Sequence, residues 1–309
     1  MPTEAMVSPH PLQVPAALLL LATTSAARDT LSPIDDNDCG CFKTNDSSDA
    51  YFANHLFLDF RSLSDYAGVP PLVQHDKTSS SQVTSAYFSS DEWTRNWAIQ
   101  SWNNSATLGT SSSDATVPMF NSPRNIYIEG EAGSDKSHLT LRTSRSASSQ
   151  SSAEFESVVS NYQHLSIRMY ARTQGSPGAC TAVFTYRDVE TSLADVQEAD
   201  IEFLTSGPTN LVQYTNQPSF TAEGETVEGA SRNASLPQDL TWDDWAVHRL
   251  DWTPGKTTWY VDGEEIWANG FQAPRDPARV LFNAWSDGGS WSALFAALML
   301  EIWLGRPSS

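Results

Sequence analysis

Short runs of β-branched and aromatic residues, broken by Gly, Pro, Asn, Asp and Ser, recur from about residue 138 to the C-terminus. Such runs read as strands. The pattern predicts strands at His138–Arg145, Leu165–Thr173, Cys180–Arg187, Glu198–Leu204, Leu211–Asn216, Ala246–Trp252, Thr257–Val261, Glu264–Ala268, Val280–Trp285 and Leu298–Leu304. After residue 27 no segment of helix length keeps a 3.6-residue apolar period. Asp262-Gly263 separates two of the runs, and that dipeptide favours a type I′ hairpin turn. Closely spaced strands without intervening helices predict an all-β chain, either a β-sandwich or a barrel of antiparallel strands. The Ser/Thr-rich patches Thr78–Ser81 and Ser144–Ser152 are expected to be surface loops.

The N-terminus reads as a secretory signal over residues 1–27. Val14 to Ala22 is almost unbroken apolar sequence, and Ser25 and Ala27 are small residues placed for a cut before Arg28. No Lys or Arg precedes the run, and it is too short for a permanent membrane span. Residues 28–309 are then expected to form one catalytic domain. Secretion agrees with three N-x-S/T sequons, at Asn45, Asn103 and Asn233. Hydrophobic residues make up 39% of the chain, enough for a sizeable core, and 11 are Trp. The formal net charge of −19 argues against a nucleic-acid partner, because it repels phosphates. Three cysteines, Cys39, Cys41 and Cys180, leave at least one outside an intrachain bridge, and either of the first two is a candidate partner for Cys180. No Cys/His set stands at metal-ligand spacing. Ala293 to Leu304 is apolar but carries Glu301 and is read as a final strand rather than an anchor.

Chemistry concentrates in Glu198-Ala199-Asp200-Ile201-Glu202-Phe203. Alternate side chains of a strand share a face. Glu198, Asp200 and Glu202 therefore point one way, and Ala199, Ile201 and Phe203 point into apolar packing. Three carboxylates in a row repel, which raises at least one pKa and keeps one group protonated near neutrality. Retaining glycoside hydrolysis needs one carboxylate as nucleophile and one carboxylic acid as proton donor, about 5–5.5 Å apart. Two Glu four residues apart on a strand have Cα atoms about 13 Å apart. Side chains reaching about 4 Å towards each other close that gap to about 5 Å. The competing reading is an acidic strand that merely faces solvent.

The segment resembles the Glu-x-Asp-x-Glu motif of glycoside hydrolase family 16, the concanavalin A-like jelly rolls, in the form without a β-bulge. Asn283-Ala284-Trp285-Ser286-Asp287-Gly288-Gly289 is similar to the family's Asn-x-Trp segment. Leu250-Asp251-Trp252-Thr253-Pro254 followed by Trp259-Tyr260-Val261-Asp262-Gly263 is similar to its strand and hairpin beyond the catalytic strand. Val212 to Asn216 resembles the strand paired beside it, and Ala153 to Ser157 and Ser166 to Arg172 look like strands of fungal members. The resemblance implies a jelly-roll β-sandwich of two antiparallel sheets with a concave substrate cleft. It implies Glu198 as nucleophile, Asp200 as its assistant and Glu202 as general acid/base. Asn283 and Asn216 are candidate amides for sugar hydroxyls. Trp285 is a candidate stacking platform, the alternative for it being a core indole. Trp93, Trp97 and Trp102 are expected in the core or lining a loop, and His248 as a satisfied structural histidine.

The function so implied is retaining cleavage of internal β-1,3 or β-1,3/1,4 glucosidic bonds. The expected partner is β-glucan or a related polysaccharide, met by a monomer in the extracellular space or cell wall. No cofactor is required and no metal is assigned, although some relatives hold a structural calcium. Three rivals stay open: a cell-wall transglycosylase using the same carboxylates, a non-catalytic, lectin-like binding protein, and an acidic extracellular adhesion protein without substrate turnover.

Overall fold

The computed structural model describes residues 39–44, 50–73, 82–110, 113–187, 196–221, 223–291 and 298–303. The chain divides into two compact units, Met1–Cys39 and Gly40–Ser309. All of the first except Cys39, including the expected signal at 1–27, lies outside the described residues, as do Asn45 and Thr78–Ser81. All the secondary structure among the described residues lies in the second unit.

Among the described residues seventeen strands follow one another: β1 (Phe42–Lys43), β2 (Tyr51–Phe52), β3 (Trp97–Ile99), β4 (Met119–Asn121), β5 (Ile126–Gly130), β6 (Ser137–Arg145), β7 (Gln150–Ser157), β8 (Leu165–Gly175), β9 (Cys180–Arg187), β10 (Gln197–Leu204), β11 (Leu211–Gln217), β12 (Ser231–Ser235), β13 (Ala246–Thr253), β14 (Lys256–Val261), β15 (Glu264–Asn269), β16 (Arg279–Trp285) and β17 (Leu298–Trp303). The one α-helical element among the described residues is a single turn, Asp91–Thr94, capped by the Ser90 hydroxyl.

Pairing runs β12-β11-β10-β9-β16-β7 on one side and β6-β17-β8-β13-β14-β15 on the other. The two halves join where β6 and β7 pair at Ser144–Ser151 and Arg145–Gln150. Their inner faces meet: Phe203 of β10 touches His248 of β13 edge-on at 4.9 Å, and Tyr214 of β11 meets Trp259 of β14 at 5.6 Å. The core between them includes Ala199, Ile201, Phe203, Val212, Leu250, Trp252 and Trp259. This is a β-sandwich, one of the two arrangements that the strand spacing allows and the one that the resemblance implies. It arises because strands such as β10 present an apolar face, here Ala199, Ile201 and Phe203, that only a second sheet can cover.

The ten expected strands appear with ends shifted by no more than two residues, as at Leu165–Gly175 and Leu298–Trp303. The Asp262-Gly263 turn takes the left-handed conformation at both positions, φ +48° and +84°. The Asp262 carboxylate also accepts the Val247 N–H at 2.8 Å, tying the turn to β13. The final strand, β17, lies between β6 and β8 and pairs with both.

Two expectations are corrected. Ser144–Ser152 is not simply a surface loop. It holds the end of β6 and the start of β7, and Ser144 and Ser149–Ser152 are buried. Hydroxyls and amides satisfy one another there: Ser144 and Ser151 share a bond of 2.9 Å, and the Gln150 amide donates to Thr143 Oγ1 at 2.6 Å. Polar composition therefore hides a buried segment when its polar groups are mutual partners.

His248 is structural but not satisfied: neither ring nitrogen has a partner among the described residues. Burial pushes its pKa down from the usual 6.5 to about 4. Between those values the unfolded chain binds a proton that the folded chain refuses. This part of the stability is whole above about pH 6.5 and is lost as pH falls towards 4, by about 3 kcal/mol. A His248→Leu variant is expected to flatten the fall of unfolding free energy over that window, measured by urea titration at several pH values. An unchanged slope would remove His248 as the cause.

Candidate active site

The β10 pattern behaves as a strand rule requires. Ala199, Ile201 and Phe203 are buried in the core, and Glu198, Asp200 and Glu202 take the opposite face. Register then builds rows across the sheet. Glu202 lies opposite Ala182 of β9, Ala182 opposite Asn283 of β16, and Asn283 opposite Glu154 of β7. Ala182 is the small member of that row and leaves room between its neighbours. A cleft of about 340 Å³ opens there, lined by Glu198, Asp200, Glu202, Asn283, Trp285, Glu154, Trp102 and Asp287 among others.

Burial is the largest influence on all three β10 carboxyls, and it pushes each above the usual carboxylate range. Asp200 is the most enclosed, 1% exposed, and the charges of Glu198 and Glu202 raise it further. Its Oδ2 accepts the Gln217 amide at 3.3 Å. Its Oδ1 has no donor among the described residues. Asp200 faces Glu198, another acceptor, so a bond between them exists only if they share a proton. That bond favours the ionised form of Glu198 and the protonated form of Asp200. Glu202 differs: Oε1 accepts the Trp291 indole N–H at 3.1 Å and the Cys180 thiol at 3.7 Å. Oε2 is buried with no partner among the described residues. Burial first, then the Glu202 charge, holds the Cys180 thiol well above its usual range, so it stays an S–H donor.

The chain from Phe120 to Leu300 matches the family model for glycosyl hydrolases family 16, more than half of its length. The chain belongs to that family. Among curated proteins, it is 29% identical over 133 residues to the Crh-like protein UTR2 of Candida albicans, covering 40% of this chain and 26% of that one. It is 25% identical over 213 residues to a beta-glucanase of Paenibacillus polymyxa, covering 68% and 85%. The chain thus spans about a quarter of the length of the fungal relative. Among solved structures, the endo-beta-1,3-glucanase of Pyrococcus furiosus superposes with a TM-score of 0.52 at 16% identity, over 69% of this chain and 90% of that one. The sandwich of this family 16 chain is therefore the jelly roll that the motif implies.

Of the residues singled out in the sequence, Glu198, Asp200, Glu202, Asn283 and Trp285 converge on the cleft. Asn216 does not. It pairs with Ala199 and so shares the core-facing side of the sheet. It is fully buried, and its amide donates to the Phe271 carbonyl at 2.9 Å. One residue of register decides this, because successive side chains take opposite faces. Gln217 and Gln213, its neighbours in phase with Glu198 and Glu202, occupy the cleft side instead.

Four contributors escaped the sequence reading. Glu154 lines the cleft, and its Oε1 accepts the Trp102 indole N–H at 2.6 Å. Burial raises its pKa to about 7 against the bonds from Trp102 and Asn283. The alternation Glu154-Phe155-Glu156 carried the signal, with only Phe155 in the core. Trp102 is 47% exposed at the rim, while Trp93 and Trp97 are core residues as expected. Trp291 and Cys180 left no sequence signal, since both reach Glu202 through loop placement and strand register. Cys180 forms no disulfide, so neither candidate bridge to it is made. Sequons Asn103 and Asn233 are both exposed. No helix among the described residues is long and apolar enough to cross a membrane.

Proposed function

We propose that this chain is a secreted retaining glycoside hydrolase that cleaves internal β-1,3 or β-1,3/1,4 glucosidic bonds of polysaccharide. One observation carries the reading: Glu198 and Asp200 can share one proton, while Glu202 stands on the same cleft face with an unpartnered oxygen. That division supplies an ionised nucleophile and a separate acid. Glu198 attacks the anomeric carbon as Glu202 protonates the departing glycosidic oxygen. Glu202 then takes a proton from water, whose oxygen displaces Glu198. Asp200, keeping its proton, holds Glu198 in place and offsets its charge. Glu154 is a poor alternative acid despite its raised pKa. It lies three strands from β10, about 14 Å across the sheet, where either stereochemical route wants at most about 9.5 Å.

Asn283 and Glu154 offer hydrogen bonds to sugar hydroxyls, and Trp285 and Trp102 offer aromatic faces. No cofactor is needed for these steps, and a neutral β-glucan suits a cleft with no described cation in its lining. The protein is expected to act as a monomer in the extracellular space or cell wall. A Trp102→Ala variant is expected to raise KM about tenfold, about 1.4 kcal/mol, with kcat changed less. Steady-state kinetics checks this, and a kcat loss at constant KM would remove Trp102 from substrate binding.

The deciding experiment is product release from laminarin, mixed-linkage glucan and xyloglucan by the protein and its Glu198→Gln variant. Shortened products from one polymer, absent with the variant, support the reading and name the linkage. Products longer than the substrate, lost in the variant, mean sugar acceptors replace water and the chain is a transglycosylase. Binding without turnover by folded protein would sink the catalytic reading in favour of a lectin-like one.

A further inference from the structure

The acid/base carboxyl of Glu202 is held asymmetrically. Oε1 receives two donors, the Trp291 indole at 3.1 Å and the Cys180 thiol at 3.7 Å, and Oε2 receives none from the described residues. A carboxylate oxygen offers about two lone-pair positions, so both positions on Oε1 are taken. The Cys180 sulfur is itself a partner of the Trp285 side chain. A path of polar contacts thus runs from Trp285, at the cleft, through the Cys180 thiol to Glu202. Cys180 is fully buried on β9, two residues before Ala182, and stands on the cleft side of the sheet. Trp291 comes from the segment after β16 and is itself braced by Phe220, edge-on at 6.4 Å.

We propose that Cys180 and Trp291 are positioning residues for Glu202: donating together to Oε1, they fix the carboxyl's orientation and reserve Oε2 as the oxygen that carries the catalytic proton. This rests on Glu202 being the acid/base. In the first step the Oε2 proton goes to the leaving oxygen as its bond to the anomeric carbon breaks and Glu198 bonds to that carbon. In the second step Oε2 takes a proton from the water that displaces Glu198. Without the two donors the proton can sit on either oxygen, and half of those arrangements aim it away from the glycosidic bond.

Donors to a carboxylate stabilise its ionised form, so removing one keeps Glu202 protonated to higher pH. The other titratable groups facing it are Glu198 and Asp200 on its own strand, Cys180 from β9, Glu154 from β7 and Asp287 from the segment after β16. Gln213 of β11 is neutral, and no described Lys, Arg or His lines the cleft.

The test is the pH profile of kcat/KM for the full chain and for Trp291→Phe, Cys180→Ala and Cys180→Ser, on whichever of laminarin, mixed-linkage glucan or xyloglucan it turns over. Thermal melts report folding of each variant. The alkaline limb is expected to rise by about one pH unit in Trp291→Phe and about half a unit in Cys180→Ala. Cys180→Ser keeps a donor and should stay near the parent. A fall in kcat with both limbs unmoved would leave the two residues merely structural and overturn the proposal. If the parent turns over none of the three polymers, the hydrolase reading has failed separately. Titration of the Glu202 carboxyl by carbon NMR then decides: a midpoint raised in Trp291→Phe supports the proposal, and an unmoved one overturns it.

Discussion

Replacing Glu202 with glutamine is expected to slow glucan cleavage about 10²–10⁴-fold, which is about 3–5.5 kcal/mol in the barrier. A sugar hydroxyl is a poor leaving group without a proton, and the amide has none to give. A dinitrophenyl glycoside of the same sugar needs no proton, so its first step should slow only about a few-fold. Its second step still lacks a base. The variant should therefore release a burst of dinitrophenolate matching the enzyme concentration, then turn over slowly as glycosyl-enzyme accumulates. Glu198→Gln should show no burst, because no covalent intermediate forms. Stopped-flow absorbance separates the two. If Glu202→Gln lost as much on the activated glycoside as on glucan, Glu202 would not be the acid, and the asymmetry of its two oxygens would need another explanation.

Phe155→Ala should be among the most destabilising single changes in the core. Phe155 is fully buried on β7, stacked on Phe282 of β16 at 4.8 Å, with Trp93 at 5.1 Å and Trp97 at 5.2 Å edge-on to it. Three large rings would line the hole left by truncation, and rings on different elements cannot all move in to fill it. The expected loss is about 3–5 kcal/mol. For a domain of this size that lowers Tm by about 10 °C. Urea and thermal unfolding measure it, and a loss under about 1 kcal/mol would mean that the cluster repacks. Activity well below the new Tm should suffer less, since Phe155 faces the core while Glu154, next to it, faces the cleft.

How far the site was legible in the sequence follows from which interactions are local. Period-two alternation is local, so Glu198, Asp200 and Glu202 could be assigned one face before any fold was known. The Asp262-Gly263 turn is local too, because positive φ at two successive positions is a property of those residues and their twist. Asn216 shows where this stops. Its strand was legible, but its face depends on register against β10, and one residue of slip reverses it. Ser144–Ser152 misleads for a related reason: hydroxyls read as solvent-facing until the partners that satisfy them are known.

The sequence by itself determined the class of fold, most strand positions and the carboxylate row, because apolar periodicity and turn chemistry act over a few residues. Only the tertiary structure decided which groups meet that row. Ala182 opens the space beside Glu202, Glu154 arrives from three strands away, and Trp291 and Cys180 come to the same carboxyl oxygen from residues 89 and 22 positions distant. Such contacts depend on sheet order and register, which are set by burying both sheets at once. No short stretch of the chain contains that information.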